Sequence, residues 1–117
     1  MEPEFKHIQM AQERFTGVIR PSPLVHSSYL SHLLGSEIFL KLECLQPIGS
    51  FKVRAAANAM GLASPETLAR GVWTASAGNM AQGLAWEARR RGIPCTVVVP
   101  EAAPSTKLAA IERLGAR

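Results

Sequence analysis

The sequence predicts an α/β protein whose parallel sheet carries helices on both faces. Three observations lead to this class. Strand-like and helix-like segments alternate from residue 37 onward, "CTVVV" (95–99) is a β-branched run typical of a parallel strand buried on both faces, and residues 79–91 carry a clear apolar helical face. Because parallel strands need helical crossovers, the alternation favours a parallel sheet. We therefore expect a helical and extended segment over residues 1–36 and a small α/β domain over residues 37–117.

The first 36 residues predict two short helices joined by an extended segment. Apolar residues recur at helical spacing before Gly17, at Ile8, Ala11 and Phe15. The extended connection covers residues 20–28, where two prolines interrupt any helix. A second helix is expected over residues 29–34, with Ser28 as its cap.

The remaining residues predict three strands separated by helices. Their order is strand 37–43, helix 50–61, helical turns 64–71, strand 72–76, helix 79–91, strand 95–99 and helix 104–115. The long helix ends at Gly92, and Glu87 lies away from its apolar face. The side chains on that face are Met80, Ala81, Leu84, Ala85 and Ala88.

The composition is that of one globular domain and restricts the classes of function. The 117 residues are 47% hydrophobic and 19% charged, a balance that excludes disorder, and the formal net charge is +4. Arg89–Arg91 is the only dense basic run; no aromatic platform accompanies it, so we expect a solvated helix end rather than a nucleic-acid site. Cys44 and Cys95 are isolated, which leaves no ligand set for a metal, and no apolar run has membrane-spanning length. These features predict a cytoplasmic protein with no metal, nucleic-acid or membrane partner.

Lys52 is expected at an unfavourable position. The sequence predicts Ser50 as a helix cap and Lys52 in the first turn, where the helix dipole disfavours a cation by about 0.3–1 kcal/mol. Arg54 is expected to add to this repulsion. A neutral lysine amine is the nucleophile that forms Schiff bases, so the placement has a chemical use. Spacing alone leaves open the alternative of a surface lysine beside an ordinary cap.

A second loop is expected at the same edge of the sheet. Ligands of parallel sheets bind at the carboxyl ends of the strands, so the loop before Lys52 and the loop "SAGNM" (76–80) are expected to open together. Small residues that lead into a helix leave amides free to bind a carboxylate, and Asn79 can hydrogen-bond a ligand oxygen. Many helices begin with such residues purely as caps, which stays the alternative.

Three motifs over most of the chain resemble one enzyme family. The segments "LKLECLQPIGSFKVRAAANAM", "TASAGNMAQGLAWEA" and "CTVVVPEAAPSTKLAAIERLGA" are similar, in this order, to the N-terminal part of fold-type II pyridoxal-phosphate enzymes, in particular the threonine/serine dehydratase (threonine ammonia-lyase) branch. The resemblance implies the N-terminal part of the tryptophan synthase β-like fold and pyridoxal 5'-phosphate as cofactor. It implies an amino acid substrate, L-threonine or L-serine, that is converted to a 2-oxo acid and ammonia. It also implies a homo-oligomer in the full-length form.

The resemblance assigns roles to individual residues. Lys52 would bind the cofactor covalently and, once displaced by the substrate amine, would remove the α-proton. Phe51 would pack beside the cofactor ring, and Asn79 would bind the ring hydroxyl oxygen. The substrate carboxylate would be held by a loop of five residues: Ser76, Ala77, Gly78, Asn79 and Met80.

Two residues depart from the family pattern. Met80 stands where related dehydratases and racemases usually have His, which is expected to alter the mouth of the site or the substrate range. Ala77 stands where serine racemases place a hydroxyl residue that acts on the opposite face of the substrate, so racemisation is disfavoured. The loop also differs from the Thr-Ser-Gly-Asn-Thr type of cysteine-synthase-like relatives. Serine racemase and hydroxyaspartate dehydratase of the same fold remain alternatives.

Members of this family are much longer than 117 residues. The resemblance implies a second, large domain with a glycine-rich cradle for the cofactor phosphate, and none of the nine glycines here forms such a run. We therefore interpret the sequence as a truncated, N-terminal fragment that is inactive alone. A non-catalytic remnant or interaction domain, in which the fold persists without chemistry, is the alternative.

Overall fold

The structure is a computed structural model, and it describes residue 2 and residues 4–117. These residues form six α-helices and four short strands. In chain order the elements are α1 (Phe5–Phe15), β1 (Leu24–His26), α2 (Ser28–Leu34), β2 (Phe39–Lys41), a 3-10 turn (Glu43–Leu45), α3 (Lys52–Leu62), α4 (Pro65–Ala69), β3 (Val72–Ala75), α5 (Asn79–Arg91), β4 (Cys95–Val98) and α6 (Ser105–Arg113).

The second half of the chain contains a parallel β3–α5–β4 unit. Val72 lies opposite Cys95 and Ala75 lies opposite Val98 in the two paired strands. The helix α5 covers the range predicted for it and ends at Gly92, whose positive φ of 68° forms the cap. The α/β class and the strand–helix–strand order predicted after residue 71 are confirmed.

The first strand of the predicted series lies in a different sheet. β2 pairs antiparallel with β1, so that Leu24 lies opposite Lys41 and His26 lies opposite Phe39. The prediction that residues 37–43 contribute to one parallel sheet is therefore wrong. β1 has only three residues and directly follows Pro23. The sequence pattern of so short a strand cannot be distinguished from that of an extended loop.

Within the described residues, β3 and β4 are covered on one face. The core on that face consists of buried side chains from α3, α5, β4 and the C-terminal segment: Met60, Ala81, Leu84, Ala85, Ala88, Cys95, Ile111 and Ala116. On the opposite face Trp73 is 73% exposed and Val98 is 55% exposed. The expectation that 95–99 is buried on both faces is wrong for this part of the chain, because β-branched composition reports strand preference and not which neighbours cover the strand.

Helix α3 packs along α5. Val53 and Ala57 of α3 are buried with Ile19 in a second cluster, against which Trp86 of α5 packs. The start of α3 differs slightly from the prediction, since Phe51 occupies the cap position and Ser50 precedes it. The cap of α2 is also shifted, from Ser28 to the residue before it, whose hydroxyl accepts the N–H of Leu30.

Glu87 is buried, and the prediction that it avoids the buried face of α5 is wrong. Its exposed fraction is 0%. Arg90 donates to both carboxylate oxygens, Nε to Oε2 and Nη2 to Oε1, each at 2.8 Å, and Nε of Arg91 donates to Oε1 at 2.6 Å. Burial is the largest influence and raises the pKa of Glu87, but the two guanidinium groups together hold the pKa below its ordinary value. The basic run is thus a paired cluster and not only a solvated helix end.

No helix in the described part of the chain combines the length and the apolar character needed to cross a membrane.

Candidate active site

Lys52 is the first residue of α3. The main-chain N–H of Lys52 donates to Oγ of the buried Ser50 at 3.3 Å, which satisfies one of the free amides at the start of the helix. Its Nζ lies 5.0 Å from the centroid of the Phe51 ring, within the range of a cation–π contact. Phe51 is 55% exposed. Amine and ring therefore lie side by side.

Arg54 is paired, so its charge does not act on Lys52 unopposed. Its Nε and Nη2 each donate to a carboxylate oxygen of Glu43 at 2.8 Å, and the hydroxyl of Ser22 donates to the same carboxylate. The hydrogen bond from Arg54 is the main cause that lowers the pKa of Glu43 to about 2, against the opposing effect of burial. The expectation that Arg54 adds to the repulsion at Lys52 is therefore wrong, because spacing along the chain did not reveal its partner.

The loop before α5 carries the predicted small residues. Gly78 occupies the cap position of α5, no side chain caps the helix, and its first turn contains no acidic residue. Oγ of Ser76 accepts the N–H of Gly78 at 3.2 Å, and the N–H of Ser76 donates to the carbonyl of Val98 at 3.0 Å. The loop is thus fixed to β4, and the uncapped amides at the start of α5 form the positive end of the helix. Such an end can bind a carboxylate.

The other loop residues lie where the sequence predicts them. Ala77 and Met80 are half-buried, and Asn79 is exposed as the first residue of α5. Asn79 therefore presents an amide side chain at the same end as the uncapped amides.

Helix packing brings Lys52 close to this loop. Gly83 of α5 lies against the main chain of Lys52, since a Cβ built on Gly83 would stand 3.0 Å from the Lys52 carbonyl oxygen. Gly83 is four residues, or about 6 Å of helix rise, from Asn79. The two predicted parts of the site are therefore neighbours, but through the contact of α3 with α5 and not through a shared edge of one sheet.

This arrangement is open to solvent. A surface groove of about 700 Å³ lies apart from Lys52 and from residues 76–80, between the segment 17–21 and the side chains of Trp86 and Arg90. The candidate site is thus an open surface that offers a primary amine, an aromatic ring, an amide side chain and an anion-binding helix end. A primary amine can hold an aldehyde covalently, and the helix end can hold the carboxylate of an amino acid.

The cysteines do not take part in this site. Cys95 is buried in the core, and burial raises the pKa of its thiol. Cys44 is exposed and lies within the 3-10 turn. The described residues contain no group of three or more His, Cys, Asp or Glu side chains that could hold a metal ion.

Two residues near the site escaped the sequence analysis. Gly83 interrupts an otherwise strong helix, and a glycine inside a helix is about 1 kcal/mol less favourable than alanine, so its presence there was a usable signal. Glu43 carried no such signal, because its partner Arg54 is eleven residues away across a turn.

Comparison with known proteins supports the similarity seen in the motifs. The sequence profile of the family described as pyridoxal-phosphate dependent enzyme matches residues 15–117. The L-threonine ammonia-lyase of Thermotoga maritima is 46% identical over 110 residues, which are 94% of this chain and 27% of that protein. The beta-hydroxyaspartate dehydratase of Paracoccus denitrificans is 42% identical over 113 residues, which are 97% of this chain and 36% of that protein.

A solved structure shows the same arrangement of elements. Maize serine racemase superposes with a TM-score of 0.93 and 32% sequence identity, over 100% of this chain and 36% of that chain. The chain therefore spans between 27% and 36% of the length of the three proteins compared.

Proposed function

The chain belongs to the pyridoxal-phosphate dependent enzyme family, and from that membership we propose that it forms the lysine-bearing part of an amino acid lyase. The reaction proposed is removal of the β-hydroxyl and the amino group of L-threonine or L-serine. One water molecule leaves in the elimination and one returns in the hydrolysis, so the net products are a 2-oxo acid and ammonia. The observation that carries the proposal is the position of Lys52, held by α5 within about one helical turn of the uncapped helix end.

The residues at this site fit the cofactor chemically. Pyridoxal 5'-phosphate is an aldehyde, and Lys52 offers a primary amine for its carbonyl carbon. The ring of Phe51 is exposed beside that amine and is available to pack on a flat heterocycle. Asn79 has an amide that can bind the ring hydroxyl oxygen. When bound, the cofactor would withdraw electrons from the Cα of the substrate and so make its proton acidic.

The chain's own residues would bind and orient the substrate and move one proton. The amides of Ala77, Asn79 and Met80, near the positive end of α5, would hold the substrate carboxylate, while the hydroxyl of Ser76 fixes the loop by accepting the N–H of Gly78. The amine of Lys52, once free, would accept the α-proton at Nζ. Lys52 would thus serve as both attachment point and base.

The rest of the site would come from residues outside this chain. The relatives are about three times as long, and no two of the nine glycines form a phosphate-binding run. We propose that a larger domain of the full-length protein, which would be a cytoplasmic homo-oligomer, binds the phosphate and covers the open site. Residues 1–36 and 37–117 would then form the N-terminal segment and the small domain of that enzyme.

Covalent labelling tests the role of Lys52. The protein, as its gene encodes it in full, is incubated with pyridoxal 5'-phosphate, reduced with borohydride, digested and mapped. Preferential labelling of Lys52 over the exposed Lys6 and Lys107 is expected, with loss of ammonia release from threonine in Lys52→Ala. Equal labelling of the three lysines, or full activity in Lys52→Ala, would contradict the proposal.

Racemisation of serine is the second candidate, because the structural likeness to maize serine racemase extends over the whole chain. Incubation with L-serine separates the two reactions, since elimination gives pyruvate and racemisation gives D-serine. Ala77 carries no hydroxyl for the opposite face of the substrate, so pyruvate is the expected main product. A hydroxyaspartate substrate, which the similarity to the Paracoccus dehydratase suggests, is tested in the same assay by its own 2-oxo acid.

A further inference from the structure

Gly83 lies in the interior of α5, where alanine would favour the helix more. A Cβ at this position would stand 3.0 Å from the carbonyl oxygen of Lys52, 3.2 Å from its carbonyl carbon and 3.4 Å from the N of Val53. All three contacts are with main-chain atoms at the start of α3. A methyl group would therefore require the backbone that carries Lys52 to move by a few tenths of an ångström.

We propose that Gly83 is a positioning residue for Lys52. Its missing side chain sets the distance between the first turn of α3 and α5, and so sets where the amine of Lys52 lies relative to the loop 76–80. This inference rests on the proposed function, because the position of the Lys52 amine matters only if that amine binds the cofactor and accepts the α-proton.

The displacement would appear at Lys52 because the rest of α3 is fixed. At the far end of α3, Arg91 donates to the carbonyl of Met60 at 3.4 Å, and Arg91 is itself paired with the buried Glu87. In between, Val53 and Ala57 are fully or almost fully buried. A closely packed core resists sliding of the whole helix. The first turn of α3, whose main chain the added methyl group would touch, would take up the displacement.

The loop 76–80 would keep its place. Outside the main chain of α5 itself, the three nearest neighbours of a Cβ at Gly83 belong to Lys52 and Val53 and not to the loop, and Ser76 is tied to Val98 of β4. Binding of the substrate carboxylate should then be preserved while the amine is misplaced. An error of this kind lowers kcat and leaves KM nearly unchanged.

The test compares two glycine-to-alanine substitutions inside helices. Gly83→Ala adds a methyl group against the main chain of Lys52. Gly61→Ala in α3 is the matched control, because a Cβ there meets only side-chain carbons of Arg14, the nearest at 3.2 Å, which can move aside. Both substitutions favour the helix, and the gain is smaller at Gly61, which is the second-last residue of α3.

The first readout is the rate at which borohydride fixes pyridoxal 5'-phosphate on Lys52 in the full-length protein, with labelling of Lys6 and Lys107 as internal references. The second is kcat and KM for threonine. In Gly83→Ala we expect the labelling rate at Lys52 and kcat to fall about tenfold, with KM within about twofold of the unmodified value. Gly61→Ala should match the unmodified protein.

Other results have definite meanings. Equal rates at Lys52 in the two variants, with equal kcat, would overturn the inference and leave the proposed function intact. Failure of the unmodified protein to label at Lys52 would overturn both. If Gly83→Ala melts too low to assay, Gly83→Ala and Gly61→Ala are compared at reduced temperature; a labelling rate at Lys52 that is tenfold lower in Gly83→Ala supports the inference, and equal rates refute it.

Discussion

Replacing Glu87 with Gln should destabilise the protein, because it removes the buried negative charge that pairs Arg90 and Arg91. The carboxylate accepts three charge-assisted hydrogen bonds, at 2.8, 2.8 and 2.6 Å. Gln keeps one acceptor oxygen and turns an NH₂ group toward a guanidinium donor, so at least one bond is lost. A hydrogen bond to a charged group contributes about 1.5–3 kcal/mol. The arginine side chains are 39% and 26% exposed and can turn to water, so we expect a loss of about 2 kcal/mol.

The loss is measurable by urea unfolding of the 117-residue chain, followed by helical circular dichroism. For a domain of this size about 2 kcal/mol corresponds to a fall in Tm of roughly 8 °C. The exposed Glu112 of α6 provides the matched control, and Glu112→Gln should change the free energy of unfolding by less than about 0.5 kcal/mol. Equal effects of the two substitutions would refute the reasoning, since they would mean that burial and pairing of Glu87 contribute nothing.

Three further predictions concern the surroundings of Lys52. The pKa of Glu43 is about 2 in the fold against 4.5 ordinarily, so its pairing with Arg54 stabilises the fold fully above pH 4.5. This stabilisation is lost as the pH falls toward 2. In Glu43→Gln the free energy of unfolding, measured against pH, should no longer show this decrease between pH 4.5 and 2. Ala77→Ser should raise D-serine formation relative to pyruvate formation from L-serine, and an unchanged product ratio would argue against residue 77 facing the substrate. Met80→His should change the ratio of kcat/KM for serine over threonine by about threefold or more, because the side chain lies at the start of α5 beside the proposed carboxylate site; an unchanged ratio would remove Met80 from the specificity determinants.

The sequence was informative wherever the decisive interaction is local. The range of α5 followed from its apolar periodicity and from the glycine after its end. Helical turns were predicted over residues 64–71, and α4 lies there, with Ser64 accepting the N–H of Thr67 as its cap. These features need no knowledge of which elements pair.

The errors concern partners that are distant along the chain. The pairing of β2 with β1, the burial of Glu87 and the partner of Arg54 each depend on how separate segments meet. The apolar periodicity of α5 placed Glu87 off the buried face, whereas a carboxylate can be buried when it is paired, and its two partners were attributed to a solvated helix end. Lys52 and the loop 76–80 do lie near each other. Their proximity was inferred from a shared sheet edge, but it results from the contact of Gly83 with the main chain of Lys52.

The exposed face of β3 and β4 carries a tryptophan whose fluorescence can report whether this face is covered. Trp73 is 73% exposed on this face, whereas the only other tryptophan, Trp86, is half-buried between α5 and the N-terminal segment. Indole emission shifts to shorter wavelength when water around the ring is replaced by apolar groups. Any event that covers this face would therefore register in the fluorescence of Trp73, and a Trp86→Phe variant would isolate that signal without a label.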